Sequence, residues 1–372
     1  MRFRRPLGPT SRDVVVYASA IGQADNIGDS LLRRAYLDSL RKVGTVHVLL
    51  DVGTESYERG LALHPEDVRY FSRSLWLKSA WRSTATKRVV YAYSAGEMDV
   101  QPFYVRSYLK SAALVLKARL SGGSGVHLGL GMRVRRSVLA RILGFLLLPN
   151  SMVRWRDRES AVWSGVGKAA PDWGFALGGV SEGDISAEAS RNLVAISMRG
   201  DRGTISPEWI SLVSSYCSRH SLTPIVVEQV RSDESLCVQL SKELGAELIS
   251  WGNADNLEHE NRLRGVYRNC AAVISNRLHV LVAGVTEGAV PIGLTTGDPQ
   301  KLERTFGAAG FASVSIQVRP GTAAEPLLSR MAEMMLSRGE LVRAAIAARR
   351  ILADLESELV DSFSFESPSR TQ

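Results

Sequence analysis

Ile274-Ser275-Asn276-Arg277-Leu278-His279 stands at the centre of the stretch from Asn269 to Gly307, between the apolar runs Ala271 to Ile274 and Val280 to Val285. The first run has the length of a buried strand, and the second suits a helix. The polar residues between them mark a crossing from strand to helix, with Arg277 and His279 in the first helical turn. Such junctions, at the carboxyl ends of strands in open α/β sheets, are where anionic ligands bind. Arginine offers a planar fork that pairs bidentately with carboxylate or phosphate. Histidine is the side chain best suited to moving a proton near neutral pH. Arg277 and His279 are therefore the first candidates for catalytic residues.

The same alternation extends outward in both directions. Val14 to Tyr17, Val46 to Leu50 and Val89 to Tyr93 read as strands, with Leu31, Leu32, Ala35 and Leu40 at helical spacing between the first two. Ala112 to Leu116 reads as a further strand or the end of a helix. Leu177 to Ala187, rich in Gly, Ser and acidic residues, has no apolar period and reads as a linker. Beyond it, strands at Leu193 to Ser197, Pro224 to Glu228, Glu247 to Ile249 and Ala271 to Ile274 alternate with helices at Trp209 to Cys217 and Ser235 to Leu244; Pro291 to Leu294 follows as the next strand. The pattern predicts an α/β protein of two Rossmann-like, doubly wound domains facing a cleft. They span 1–176 and 191–322, with a linker at 177–190, a closing helical segment at 323–360 and a disordered tail at 361–372.

Other candidates follow from position in this scheme. Arg199 closes the strand that begins at Leu193, so it faces the cleft as an anion ligand. Glu228 ends the next strand and Asp233 lies in its loop; either suits a base or a partner for sugar hydroxyls. Lys301 follows the turn Thr295-Thr296-Gly297-Asp298 and suits phosphate. Asn26-Ile27-Gly28-Asp29 reads as a helix cap whose free backbone N–H groups are aimed at substrate. Arg156-Asp157 reads as a structural ion pair or cap. Ser121-Gly122-Gly123-Ser124-Gly125 is neither a P-loop nor a dinucleotide fingerprint, because no Gly-Lys-Ser/Thr follows and the third glycine is missing. It is expected to form a glycine-rich turn at the cleft.

Taken in order, these motifs resemble the polysaccharide pyruvyl transferase family. The resemblance rests on Asn26-Ile27-Gly28-Asp29, on Arg156-Asp157 with Ser160, Asp172 and Phe175, and on Arg277-Leu278-His279. Gly288-Ala289-Val290-Pro291-Ile292-Gly293-Leu294, Lys301 and Phe306-Gly307 complete it. It implies a glycosyltransferase-B-like pair of domains and transfer of pyruvate from phosphoenolpyruvate onto sugar hydroxyls as a ketal. The acceptor would be a cell-surface glycan or its lipid-linked precursor, held on the amino-terminal domain. In this scheme Arg199, Arg277, Leu278 and Lys301 hold the donor, and His279 with Arg277 is catalytic. Glu228, Asp233, Asn26 and Asp29 serve as base or acceptor contacts. No metal or cofactor is implied. A nucleotide-sugar glycosyltransferase on the same fold is the alternative, and a non-catalytic glycan-binding relative is a second one.

Composition sets the outer bounds. The chain of 372 residues carries a formal net charge of +8, which suits an anionic partner. No zinc-finger spacing, RNP-like motif or basic repeat points to nucleic acid. Cys217, Cys237 and Cys270 are widely spaced, so reduced core thiols are expected rather than a disulfide framework or a zinc site. The basic residues Arg2, Arg4 and Arg5 precede no apolar h-region, so a cytoplasmic protein is expected. Val138 to Leu148 is the most hydrophobic window, too short to span a bilayer. It reads as a buried core helix or, with arginines on both flanks, as a peripheral contact of the 133–156 region with anionic lipid.

Overall fold

The computed structural model describes residues 13–52, 55–133, 137–186, 191–202, 205–319 and 321–364. The amino-terminal arginines, Arg135 and Arg136, the end of the predicted linker and the tail from residue 365 lie outside the described residues.

Two parallel sheets organise the chain. The first contains β1 (Val14–Ser19), β2 (Thr45–Leu49), β3 (Val68–Tyr70), β4 (Arg88–Ala92), β5 (Gly96–Asp99), β6 (Ser124–Arg133), β7 (Met152–Trp155) and β8 (Lys168–Ala169). Its order is β3-β2-β1-β4-β6-β7-β8, with β5 pairing the far end of β6. The second contains β9 (Leu193–Ser197), β10 (Thr223–Val227), β11 (Glu247–Ile249), β12 (Cys270–Ser275), β13 (Val290–Thr295) and β14 (Ser315–Gln317), in the order β11-β10-β9-β12-β13-β14. Every residue of β12 and β13 is buried, as expected of strands covered by helices on both faces.

The crossovers of the first sheet are α1 (Ile27–Arg41), α2 (Glu55–Gly60), α3 (Arg73–Ser83), α4 (Pro102–Arg119), α5 (Ser137–Leu147) and α6 (Arg158–Ser164). A short α7 (Gly183–Ser186) lies within the segment read as linker. The second sheet has α8 (Pro207–Arg219), α9 (Glu234–Leu244), α10 (Asn256–Tyr267), α11 (Leu278–Thr286) and α12 (Gln300–Ala308). Then α13 (Ala324–Leu336) and α14 (Arg338–Asp361) close the chain. From α14, Glu356 pairs with Lys42 at 2.5 Å and Glu358 with Arg154 at 2.7 Å, so the last helix returns to the first sheet.

Two expectations are corrected here and one alternative is resolved. Ala112 to Leu116, read as a strand or the end of a helix, is helical and lies in the interior of α4. The glycine-rich turn lies at the amino end of β6, opposite the cleft; a Cβ on Gly123 would sit 2.0 Å from the Val89 carbonyl oxygen. Its glycines serve close packing between α4 and the sheet. Finally, α5 is not a core helix: Val138, Ile142 and Phe145 recur on its exposed side, while Ala140, Leu143 and Leu147 face inward.

Two histidines are fully buried. His127 on β6 packs against Trp155, and its Nε2 is 3.2 Å from the Tyr108 hydroxyl; burial pulls its pKa down to about 3. Burial likewise pulls His259 down to about 4. Because the folded-state values lie below the ordinary histidine value, this stability is fully present above about pH 6.5 and is lost as the pH falls. Urea unfolding at pH 7 and pH 5 should show a loss of about 2 kcal/mol from His127 alone. His127→Asn should flatten the pH dependence by that amount; an unchanged pH dependence would refute the account.

Candidate functional site in the interdomain cleft

The carboxyl ends of both sheets face a cavity of about 600 Å³, to which each domain contributes a helix amino terminus. The domains are stitched together beside it: Asn26 forms an isolated antiparallel bridge with Val230, and the Arg231 N–H donates to the Asp25 carbonyl at 3.0 Å.

On the second domain, Ser275 ends β12 and its hydroxyl accepts the Arg277 N–H at 2.9 Å, turning the chain into α11. Asn276 accepts the Arg199 N–H at 2.9 Å, which ties the β9 and β12 ends together. Arg277 is the residue before α11, and its guanidinium pairs with Asp233. Asp233 in turn accepts the Gly200 N–H at 2.9 Å. Burial pulls the Arg277 pKa below its ordinary value, with Asp233 opposing that effect. Arg199 is held in a fork by Asp201, at 2.8 and 2.6 Å. Lys301, in the first turn of α12, reaches Glu97 of the first domain at 3.0 Å. Arg199, Asn276, Thr295, Gly297 and Lys301 also line a smaller adjoining cavity of about 160 Å³.

His279 lies against the amino terminus of α1. Asn26 caps that helix by accepting the Gly28 N–H at 2.9 Å, and Asp29 pairs with Arg33 at 3.4 Å. A Cβ on Gly28 would meet the His279 Nδ1 at 2.6 Å, so the imidazole occupies space that only glycine leaves open. The other nitrogen, Nε2, is 3.5 Å from the buried Asp172. Burial pushes the Asp172 pKa up, but His279, Arg156 and the Gly174 N–H outweigh it and hold the carboxylate well below its usual range. Asp172 is thus an anion fixed against the histidine.

Glu97 and Arg156 complete the floor. Glu97 on β5 is 3.2 Å from Arg156, 3.4 Å from Arg133 and 3.0 Å from Lys301. Burial pushes its pKa up; Lys301 and Arg156 outweigh that and keep it below the ordinary value. Asp157 caps α6 by accepting the Ser160 N–H at 2.7 Å, and the Ser160 hydroxyl accepts the Met132 N–H at 2.8 Å. The Arg-Asp-x-x-Ser order therefore sends the arginine into the cleft and uses the other two residues to anchor it.

Of the residues singled out from sequence, Asn26, Asp29, Arg199, Arg277, Leu278, His279 and Lys301 all line the interdomain cavity. Two of the base candidates do not fit that part. Glu228 is 2% exposed and accepts the Trp251 N–H at 2.9 Å, because its side chain turns away from the cleft; Gln229 lines the cavity instead. Asp233 is 1% exposed and committed to Arg277 and Gly200, so it positions the arginine. Sequence reading missed the roles of Asp172, Glu97 and Arg33.

A third cavity, of about 320 Å³, opens on the first domain and shares Arg33 and Glu97 with the interdomain cavity. Trp76, Tyr91, Tyr93, Tyr104 and Tyr108 line it together with serine hydroxyls.

No family model matches the chain. No curated protein matches it. Solved structures do share its architecture. Anabaena HepE (Alr3699) in complex with UDP and glucose is 13% identical, with a TM-score of 0.52 over 94% of this chain and 99% of that one. A glycosyltransferase from Rickettsia africae is 9% identical, with a TM-score of 0.54 over 94% and 99% of the two chains. A UDP-N-acetylglucosamine 2-epimerase, so described for Listeria monocytogenes, is 13% identical, with a TM-score of 0.52 over 95% and 98%. At these identities the likeness concerns the fold: two parallel-sheet α/β domains facing a cleft, with closing helices at the carboxyl terminus, in the glycosyltransferase-B arrangement.

Proposed function

We propose that the chain is a transferase acting on a glycan, and specifically that it moves pyruvate from phosphoenolpyruvate onto sugar hydroxyls as a ketal. The observation that carries this reading is the convergence of Arg199, Arg277 and Lys301 on one cavity wall with the His279–Asp172 pair. A small donor bearing both phosphate and carboxylate suits that concentration of cations. Asp201, 60% exposed, occupies the fork of Arg199, and a donor anion would take its place.

The reaction needs one group that gives a proton to carbon and takes one from oxygen. In this reading the protonated form of His279, with Asp172 3.5 Å from its Nε2, gives its proton to the vinyl carbon of the donor. The neighbouring carbon becomes electrophilic, and an acceptor hydroxyl adds to it. The neutral imidazole then accepts that hydroxyl's proton and is restored. A second hydroxyl forms the ketal bond as the carbon–oxygen bond to phosphate breaks, and its proton leaves with the phosphate. Arg277 and Lys301 stabilise the departing charge. This sequence needs no separate carboxylate base, consistent with the commitment of Glu228 and Asp233 elsewhere. The aromatic cavity beside Arg33 and Glu97 is suited to an acceptor sugar, whose apolar face stacks on rings while its hydroxyls meet polar groups.

The fold favours a second reading, transfer of a sugar from a nucleotide donor, with the same cations holding a diphosphate. Thermal unfolding separates the two. Phosphoenolpyruvate at about a hundred times its dissociation constant should stabilise the protein by about 2.7 kcal/mol. The shift should vanish in Arg199→Ala. Stabilisation by a UDP-sugar and not by phosphoenolpyruvate would overturn the pyruvyl reading in favour of glycosyl transfer.

A further inference from the structure

The charge of this chain is segregated. Between Val100 and Arg156 the sequence holds ten Lys and Arg and no Asp or Glu, whereas the remaining 36 basic residues are outnumbered by 38 acidic ones. The entire positive surplus therefore belongs to one segment, which contains α4, β6, α5 and β7. Arg133 and Arg156 from this segment face the cleft, but Arg106, Lys110, Arg119 and Arg141 lie on the outer surface of α4 and α5.

The same surface is apolar where a water-facing helix would be polar. On α4 and just beyond it, Leu109, Leu116 and Leu120 recur at one-face spacing and are exposed; Leu120 is 90% exposed. On α5, Val138, Ile142 and Phe145 do the same, and Phe145 is 70% exposed. The two helices pack side by side, so the two exposed stripes belong to neighbouring helices. Trp81 of α3, which packs on α4, adds an exposed indole with the Lys117 ammonium 4.1 Å above its ring. Neither α3, α4 nor α5 contains an acidic residue.

We infer that the outer face of α3, α4 and α5 docks on an anionic membrane surface. Apolar side chains flanked by lysine and arginine, with tryptophan at the edge, match a leaflet whose headgroups are negative and whose acyl chains lie just beneath. A basic, acid-free patch is poorly suited to pairing with an identical copy of itself, because like charges would meet. No helix among the described residues is long and apolar enough to cross a membrane, so the contact is peripheral. Its placement has a functional consequence. Phe103, at the amino end of α4, is exposed and also lines the aromatic cavity that adjoins the cleft. Docking would bring the mouth of that cavity to the headgroup layer, where a lipid-linked acceptor presents its sugar. The inference does not depend on which donor the site takes.

Sedimentation of the purified protein with vesicles tests it. Vesicles of phosphatidylcholine containing phosphatidylglycerol should pull the protein down at about 0.1 M salt, and vesicles of phosphatidylcholine alone should retain at most a tenth as much, roughly. Leu116→Glu combined with Phe145→Glu should abolish the binding while leaving the thermal unfolding midpoint and the donor-induced shift unchanged. Failure of the wild-type protein to bind anionic vesicles would overturn the proposal. So would a dimer in light scattering that Phe145→Glu dissolves, because the patch would then belong to a second copy of the chain.

Discussion

His279→Asn should lower turnover by about three orders of magnitude, the range over which a positioned acid–base group acts, with little change in the unfolding midpoint. Turnover is measured with whichever donor stabilises the wild-type protein, as phosphate or nucleotide released in the presence of a glycan acceptor. Asparagine fills part of the imidazole's space and keeps a polar group beside Asp172, but it cannot carry the proton. Gly28→Ala approaches the same atoms from the opposite side. Alanine is ordinarily the better helix former, so α1 should not suffer. Its methyl group would nevertheless lie 2.6 Å from the imidazole Nδ1 and 2.8 Å from the His279 Cβ, which must move. A displacement of this kind costs about a hundredfold in rate. A protein as stable as wild type and about a hundredfold slower would tie the two helix termini into one catalytic unit. Near-normal turnover in both variants would remove His279 from the mechanism.

That pairing explains why the site was only partly legible in the sequence. The strand-to-helix crossing at Ser275 to His279 could be read locally, because a buried parallel strand and a covering helix are both continuous apolar runs. The cap at Asn26 was legible for the same reason, since the residue types that satisfy free N–H groups are few. What the sequence does not display is that Gly28 and His279 share one space, or that Asp172 stands behind the imidazole. Both contacts cross the domain boundary, and no local periodicity encodes them. Glu97 escaped notice because β5 is a strand of 4 residues added to the far end of β6, with no apolar run to mark it.

The errors have equally physical causes. Glu228 follows an apolar strand, as Arg199 does, but alternation along a strand sends consecutive side chains to opposite faces. A difference of one position separates Gln229, which reaches the cavity, from Glu228, which caps the Trp251 N–H. Apolar content alone could not tell that α5 has one covered and one uncovered face, since both faces carry leucine-like residues. The glycines of β6 hid a strand: Gly129 has φ +82° and lies where a Cβ would be 2.6 Å from the Trp173 ring, so the kink that brings β6 past the cleft is made by residues that ordinarily break strands.

Arg277→Ala is expected to damage stability and donor binding together, and the two effects can be separated. Asp233 is almost fully buried, and without the guanidinium it would keep only the Gly200 N–H as a partner. Removing one member of a buried ion pair costs about 3 kcal/mol or more, chiefly because the other charge is stranded. Adding Asp233→Asn to Arg277→Ala removes that stranded charge, so the double variant should regain most of the lost stability in a urea titration. It should not regain the donor-induced thermal shift, since the cation that meets the donor is still missing. Asp233→Asn alone leaves the guanidinium in place without its anchor; the donor should bind, but more weakly, because the fork is no longer held against the cavity wall. A double variant that is stable and also binds the donor as tightly as wild type would mean that Arg277 exists to satisfy Asp233. In that case Arg199 and Lys301 would have to hold the donor alone.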